Sequence, residues 1–256
     1  MYALPGGLAR GAEEVSMKKE QVCIFENTDS LVVHLADWLT ARIAACEGRF
    51  ALALSGGSTP QPLYALLADP ERARRIDWSR VHLFWGDERF VPYDDPRSNY
   101  LMARQAMIDH VPIPPANVHP VPTDGTPESA AARYADLLRE YYGSARLEEG
   151  RPLFDVNLLG IGDDGHTASL FPGTPHVEET RDWTVAVAGI KPEARISLTL
   201  PALDSAAVVV FLAAGDKKRS AVSRARAHDP DVPSGRVRPQ GQLLWYLDRD
   251  AAGGDA

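Results

Sequence analysis

Short apolar segments alternate along this chain with stretches of helical periodicity, and this alternation restricts the fold more than any other feature of the sequence. Strands are predicted at residues 22–25, 50–54, 81–85, 154–159, 183–187, 207–212 and 243–247. Helices are predicted from a cap at residue 27, 28 or 29 to about 47, from residue 60, and at 98–108, 127–142 and 216–227, with a short helix or turn at 197–203. Such alternation predicts an α/β fold: a doubly wound, mostly parallel sheet with helices on both faces.

Three of the apolar strands run directly into polar loops that contain glycine. These loops begin after Leu54, Trp85 and Leu159. The carboxyl ends of parallel strands meet at one edge of a sheet, where ligands of such folds bind. The sequence therefore predicts that the three loops form an active site at this edge.

The first loop contains Gly56, Gly57, Ser58 and Thr59 and leads into a helix that begins at Pro60. Glycines let the backbone approach a ligand closely, and the free N–H groups at a helix N-terminus attract anions. The loop has neither the Walker nor the dinucleotide-binding spacing. On its own it is consistent with a phosphate site and equally with a plain strand–helix turn.

The second loop and a later segment supply charged groups. Asp87 and Glu88 are candidate bases, and Arg89 can bind phosphate through two hydrogen bonds. Lys191 and Arg195 lie further along the chain. Without other evidence, solvated surface charges explain all of these residues as well.

The third loop places His166 close to Asp163 and Asp164 in a glycine-rich bend. A histidine oriented by a carboxylate suits a general base at neutral pH. A structural loop histidine is one alternative and a metal ligand another. We expect no metal, because no second His or Cys cluster has ligand spacing.

Composition excludes several classes of protein. The net charge of −8 argues against nucleic-acid binding, which normally needs a basic face. The longest apolar run, residues 206–214, is far shorter than the roughly 20 residues of a membrane span. The two cysteines match no redox or metal motif. We expect a cytoplasmic protein, a monomer or weak homodimer, with a flexible extension at residues 1–20 and a single domain at 21–256.

Five segments together resemble a known family, that of the glucosamine-6-phosphate isomerases and 6-phosphogluconolactonases. They are residues 54–60 (LSGGSTP), 85–89 (WGDER) with 98–100 (SNY), 160–172 (GIGDDGHTASLFP), 195–201 (RISLTLP) and 215–218 (GDKK). The resemblance extends from about residue 22 to 252. It implies the sugar-phosphate isomerase type of α/β fold, in agreement with the pattern of strands and helices.

The resemblance to the lactonases of this family implies hydrolysis of 6-phospho-D-glucono-1,5-lactone to 6-phosphogluconate, without a metal or an organic cofactor. It implies that His166 is the general base and that Asp164 orients it. The substrate and its phosphate would be bound by the remaining candidates, namely Gly56, Gly57, Ser58, Thr59, Asp87, Arg89, Lys191 and Arg195.

Two alternatives remain. One is a glucosamine-6-phosphate deaminase-like isomerase, in which an aspartate matching Asp87 moves a proton. That pattern has Tyr where this chain has Arg89, and a Glu shortly after the histidine, whereas residues 167–173 contain no carboxylate. The other is a non-catalytic sugar-phosphate sensor, which the presence of both His166 and Asp164 disfavours.

Overall fold

The computed structural model describes residues 19–253, so the predicted extension at 1–20 lies outside the described residues except for its last two. The strands are β1 (Glu20–Phe25), β2 (Phe50–Leu54), β3 (Val81–Trp85), β4 (Asp87–Arg89), β5 (Val156–Gly160), β6 (Thr184–Val187), β7 (Arg195–Leu198), β8 (Val208–Ala213) and β9 (Gln242–Asp248). The helices are α1 (Thr28–Ala45), α2 (Pro60–Leu67), α3 (Pro70–Ala73), α4 (Asn99–Ala106), α5 (Pro127–Tyr142), α6 (Leu200–Asp204), α7 (Arg219–Arg226) and α8 (Arg249–Ala252).

Six strands form a parallel sheet in the order β1-β9-β8-β5-β2-β3. Every residue of β2 and β8 is buried, as expected for inner strands of a sheet covered on both faces. Between β8 and β9, the Phe211 and Trp245 rings stack with centroids 4.4 Å apart. The predicted doubly wound α/β class is confirmed.

Three of the predicted helices begin with sequence signals that are typical of helix N-termini. Of the three candidates for the start of α1, Asn27 is the cap: its Oδ1 accepts a hydrogen bond of 2.9 Å from the N–H of Ser30. Pro60 occupies the first turn of α2, and α5 begins after Thr126, which caps the N–H of Ser129. None of the helices within residues 19–253 is long and apolar enough to cross a membrane.

A second, antiparallel sheet of three strands, in the order β4-β7-β6, corrects the prediction for two segments. Residues 87–89 were expected to be loop, and residues 197–203 a short helix or turn. Instead Asp87–Arg89 pairs with Arg195–Leu198, and only Leu200–Asp204 is helical. Segments of three and four residues are too short for a local pattern to identify them as strands, so pairing between distant segments decides their conformation.

The histidine pair His82 and His119 is expected to make the fold sensitive to acid. Their Nδ1 and Nε2 atoms are 3.1 Å apart, and the rings stack. Burial, aided by the neighbouring His82, lowers the pKa of His119 to about 4. A folded-state pKa below the unfolded value of about 6.5 means that the unfolded chain binds more protons between these values. The stability associated with neutral His119 is therefore complete above pH 6.5 and is lost as the pH falls towards 4.

We expect His119→Gln to reduce this acid sensitivity. The free energy of unfolding of the original protein should fall between pH 7 and 5 by about 1 kcal/mol more than that of the variant, since a half-buried group shows only part of the full linkage. Urea unfolding at several pH values measures this difference. His110→Gln, at an exposed histidine, is the control. If the free energy of unfolding depended on pH identically in His119→Gln and in the original protein, His119 would not be the source of the acid sensitivity.

Candidate active site

The segments that follow the parallel strands, together with the antiparallel strands β4 and β7, line one cavity of about 250 Å³ at the carboxyl edge of the sheet. Its lining includes eight of the ten predicted site residues: Gly56, Gly57, Ser58, Thr59, Asp87, Arg89, His166 and Arg195. Asp164 is not among the lining residues, but its carboxylate contacts the Nδ1 atom of His166. Lys191 is not among the lining residues; its Nζ lies 5.3 Å from the centroid of the Phe171 ring, on which His166 also packs.

The glycine loop, residues 55–59, forms one side of the cavity. Gly57 has φ +105°, a conformation that favours glycine. The Tyr64 hydroxyl fixes the start of the loop by accepting from the Ser55 N–H (2.9 Å) and donating to the Ser55 carbonyl (2.7 Å). Thr59 precedes α2, and its hydroxyl makes no capping hydrogen bond. The loop therefore offers hydroxyl groups and a helix N-terminus to an anion.

The arginine pair, Arg89 and Arg195, lies on another side of the cavity. The two residues are direct partners in the antiparallel β4–β7 ladder, so their side chains leave the same face of the sheet. Burial is the main influence on the pKa of Arg195 and lowers it. Asp87 raises this pKa and Arg89 lowers it again, so the pKa stays below its ordinary value. Like charges directly opposite each other destabilise a sheet. An anion bound between them would offset that repulsion.

Asp87 is the buried carboxylate next to this pair. Its Oδ2 accepts a hydrogen bond of 2.5 Å from the Ser169 hydroxyl and lies 3.8 Å from Arg195 Nη1. Its Oδ1 lies 3.4 Å from the Asn99 Nδ2 atom. Only 7% of Asp87 is exposed, so these partners hold it in one orientation.

His166 and Asp164 form a close pair in the third loop. Asp164 Oδ1 lies 2.5 Å from His166 Nδ1 and also accepts from the His166 backbone N–H at 3.1 Å. In the tautomer that donates from Nδ1, the Nε2 atom is unprotonated and can accept a proton. Gly162 allows this packing, because a Cβ there would lie 2.0 Å from His166 Nδ1.

The surroundings of Asp164 favour its ionised form, which is the form that can stabilise a protonated His166. Partial burial alone would raise its pKa, but hydrogen bonds from the backbone and ring of His166 outweigh that effect and hold the pKa below its ordinary value. The carboxylate is therefore ionised at neutral pH and can stabilise a protonated imidazole. Asp163 takes a different partner, Lys218, whose Nζ lies 2.5 Å from its Oδ1.

Sequence reasoning assigned no role to Asn99, Ser169 or Lys218, of which Asn99 and Lys218 line the cavity and Ser169 binds Asp87. A signal existed for Lys218, because it follows another apolar strand, β8, and so lies at the same sheet edge. Within residues 19–253, no group of three or more His, Cys, Asp or Glu side chains could hold a metal ion.

The six-stranded parallel sheet, with a cavity at its carboxyl edge lined by arginines and a histidine, is that of a doubly wound α/β protein. Residues 26–245 match the family model of glucosamine-6-phosphate isomerases/6-phosphogluconolactonase, and the chain belongs to this family.

Curated relatives agree with this assignment. A 6-phosphogluconolactonase from Nostoc sp. is 42% identical over 240 residues, covering 91% of this chain and 97% of the relative. One from Streptomyces coelicolor is 40% identical over 250 residues, covering 88% and 94%. Among solved structures, the 6-phosphogluconolactonase of Trypanosoma brucei has a TM-score of 0.78 and 30% identity, covering 93% of this chain and 99% of that chain.

Proposed function

We propose that this chain is a 6-phosphogluconolactonase, which hydrolyses 6-phospho-D-glucono-1,5-lactone to 6-phosphogluconate in the oxidative pentose phosphate pathway. One observation carries the proposal: His166, bound to Asp164, shares a cavity with the arginine pair and the glycine loop. A base beside an anion-binding region suits a substrate that carries both a phosphate and a hydrolysable carbonyl. The curated relatives that bear this name support the same reaction.

The substrate's phosphate is bound by the positive side of the cavity. The glycine loop contributes N–H groups and the hydroxyls of Ser58 and Thr59, and the arginine pair contributes charge-assisted hydrogen bonds. Lys218 adds a third cation to the lining. The repulsion between the cross-strand arginines makes a dianion a more favourable ligand than a neutral sugar. A contribution from Lys191 stays a prediction, as do the cytoplasmic location and the oligomeric state.

Hydrolysis then proceeds by general-base catalysis. His166 Nε2 removes a proton from water as its oxygen attacks the C1 carbonyl, and Asp164 stabilises the imidazolium. The tetrahedral intermediate collapses with cleavage of the bond between C1 and the ring oxygen. The imidazolium returns its proton to the leaving oxygen, which becomes the C5 hydroxyl, and the product carboxyl group ionises. General-base catalysis typically contributes about 10²–10⁴-fold.

The deaminase-like alternative fits these residues less well. Asp87, its candidate base, is engaged by Ser169 and lies beside Arg195. Residues 167–173 offer no second carboxylate. Assaying the same preparation with the lactone and with glucosamine 6-phosphate tests the choice. We expect faster lactone hydrolysis and no release of ammonia, whereas the reverse result would favour the deaminase, and two negative assays with retained sugar-phosphate binding would favour a sensor.

Replacing Arg89 with alanine should raise KM about 10-fold or more with little change in kcat, because it removes a charge-assisted bond to a phosphate remote from the reacting carbonyl. Steady-state kinetics measures the change. Arg72→Ala is the matched control, since Arg72 forms an ion pair with Asp37 and is not among the cavity-lining residues. An unchanged KM in Arg89→Ala would remove this residue from the phosphate site.

A further inference from the structure

Glu88 is a buried carboxylate between two cavity residues that does not itself line the cavity. Successive side chains of a strand point to opposite faces, so Asp87 and Arg89 reach the cavity while Glu88 points into the protein. Only 1% of Glu88 is exposed. Burying a carboxylate is costly unless it is fully hydrogen-bonded, so the surroundings of Glu88 require an explanation.

Four donors surround its two oxygens. Oε1 accepts from the backbone N–H groups of Arg89 and Asn99, each at 2.7 Å. Oε2 accepts from the Tyr100 N–H at 2.7 Å and from the Ser98 hydroxyl at 3.1 Å. A carboxylate can accept at both oxygens, whereas a glutamine of equal size would turn an NH₂ group towards one pair of donors.

These hydrogen bonds join the end of β4 to the start of α4. Burial raises the pKa of Glu88, and the N–H groups of Asn99, Tyr100 and Arg89 oppose that rise. The carboxylate thus holds the end of β4 and the start of α4 together through hydrogen bonds to both backbone segments.

Asn99 extends this connection to both sides of the cavity. Its Nδ2 donates to the Asp87 carbonyl at 2.9 Å, and 2% of the residue is exposed. Its Oδ1 lies against the glycine loop, where a Cβ at Gly56 would be 2.0 Å away. Asn99 therefore contacts the strand that carries Asp87 and the glycine loop at the same time.

We propose that Glu88 is a positioning residue that acts through Asn99 to set the glycine loop against Asp87 and the arginine pair. The inference rests on the proposed sugar-phosphate site. None of the hydrogen bonds of Glu88 within the described part of the chain reaches His166 or Asp164. Loss of Glu88 therefore weakens substrate binding more than it slows the chemical step.

Glu88→Gln tests this role. We expect KM for the lactone, and the dissociation constants for 6-phosphogluconate and inorganic phosphate, to rise about 10-fold or more while kcat changes less than about 3-fold. Asp155→Asn is the matched control. Asp155 is a partly buried carboxylate that accepts from the Ala51 N–H at 2.7 Å, near the amino-terminal ends of β2 and β5 and so away from the cavity. The Asp155→Asn substitution should lower thermal stability without changing KM.

The route through Asn99 is tested by a double-mutant cycle. If Glu88 acts through Asn99, Glu88→Gln combined with Asn99→Ala raises KM no more than the more severe single variant. Additive effects would overturn this route, and an unchanged KM in folded Glu88→Gln, or an equal rise in Asp155→Asn, would overturn the positioning role. If Glu88→Gln does not fold, Asn99→Ala and Glu88→Asp must show the KM change, and their failure to do so would also overturn it.

Calorimetric binding separates this inference from the proposed reaction. If the original protein binds 6-phosphogluconate but does not hydrolyse the lactone, the proposed function fails, and the loss of affinity in Glu88→Gln still decides the role of Glu88. If the original protein binds neither 6-phosphogluconate nor inorganic phosphate, both proposals are wrong.

Discussion

His166→Ala should lower kcat for lactone hydrolysis by about 10²–10⁴-fold, the usual contribution of a general base. The affinity for 6-phosphogluconate should change little, because the phosphate contacts lie on the glycine loop and the arginine pair, on other strands of the fold. The variant removes the only group in the proposed mechanism that accepts a proton from water. Steady-state kinetics and calorimetric binding of the product measure the two effects separately.

His34→Ala is the control for this substitution, since His34 is exposed, packs against Phe25 and Tyr246 and is not among the cavity-lining residues. It should retain full activity. Equal losses of binding and turnover in His166→Ala would contradict the division between a catalytic pair and a phosphate site. Undiminished turnover would remove His166 from the reaction.

Asp164→Asn should lower kcat about 10- to 100-fold with KM nearly unchanged. Asparagine keeps the size of the side chain but loses the charge that stabilises protonated His166. If its amide N–H faces Nδ1, it also favours the tautomer whose Nε2 is already protonated and cannot act as a base. The expected loss is smaller than that of His166→Ala, because half of the Asp164 side chain is exposed and water offsets part of the lost interaction.

Asp163→Asn provides the matched comparison, because the neighbouring aspartate pairs with Lys218 instead of His166. It should leave kcat within about 3-fold of the original, since an exposed ion pair contributes little. Kinetics of the two variants distinguishes the aspartates. A larger loss of kcat in Asp163→Asn than in Asp164→Asn would reverse their assignment.

The main sheet was predictable because strands that are buried on both faces of a parallel sheet have continuous apolar sequences. Phe50–Leu54 and Val81–Trp85 have the predicted bounds, and both are followed by residues that line the cavity. The rim position of the glycine loop and of His166 followed from that topology alone, since the carboxyl ends of parallel strands share one edge.

The antiparallel sheet was not predictable from such local patterns. Asp87–Arg89 and Arg195–Leu198 are only three and four residues long, and they form strands because they pair across more than 100 residues of chain. The same pairing places Arg89 opposite Arg195. The family resemblance predicted that both residues bind the phosphate. Their pairing across the strands, which brings two positive charges together and so favours a dianion, is visible only in the tertiary structure.

The residues that sequence reasoning left unassigned share one property: their roles depend on contacts between segments. Asn99 contacts Asp87 and the glycine loop, and Lys218 reaches the cavity from the end of β8. Lys191 shows the converse, because its charge suggested the phosphate site while its ammonium group lies over Phe171. Residue type and spacing indicate what a side chain can bind, whereas packing decides what it contacts.

The most direct test of the proposed lactonase activity is to observe the lactone carbonyl itself. Freshly generated 6-phosphogluconolactone labelled with ¹³C at C1 would be followed by NMR with the original protein, with His166→Ala and without protein. We predict that the original protein converts the lactone resonance to that of the carboxylate much faster than buffer does, and that His166→Ala largely abolishes the difference. A rate equal to spontaneous hydrolysis, from folded protein that binds 6-phosphogluconate, would contradict the proposed function.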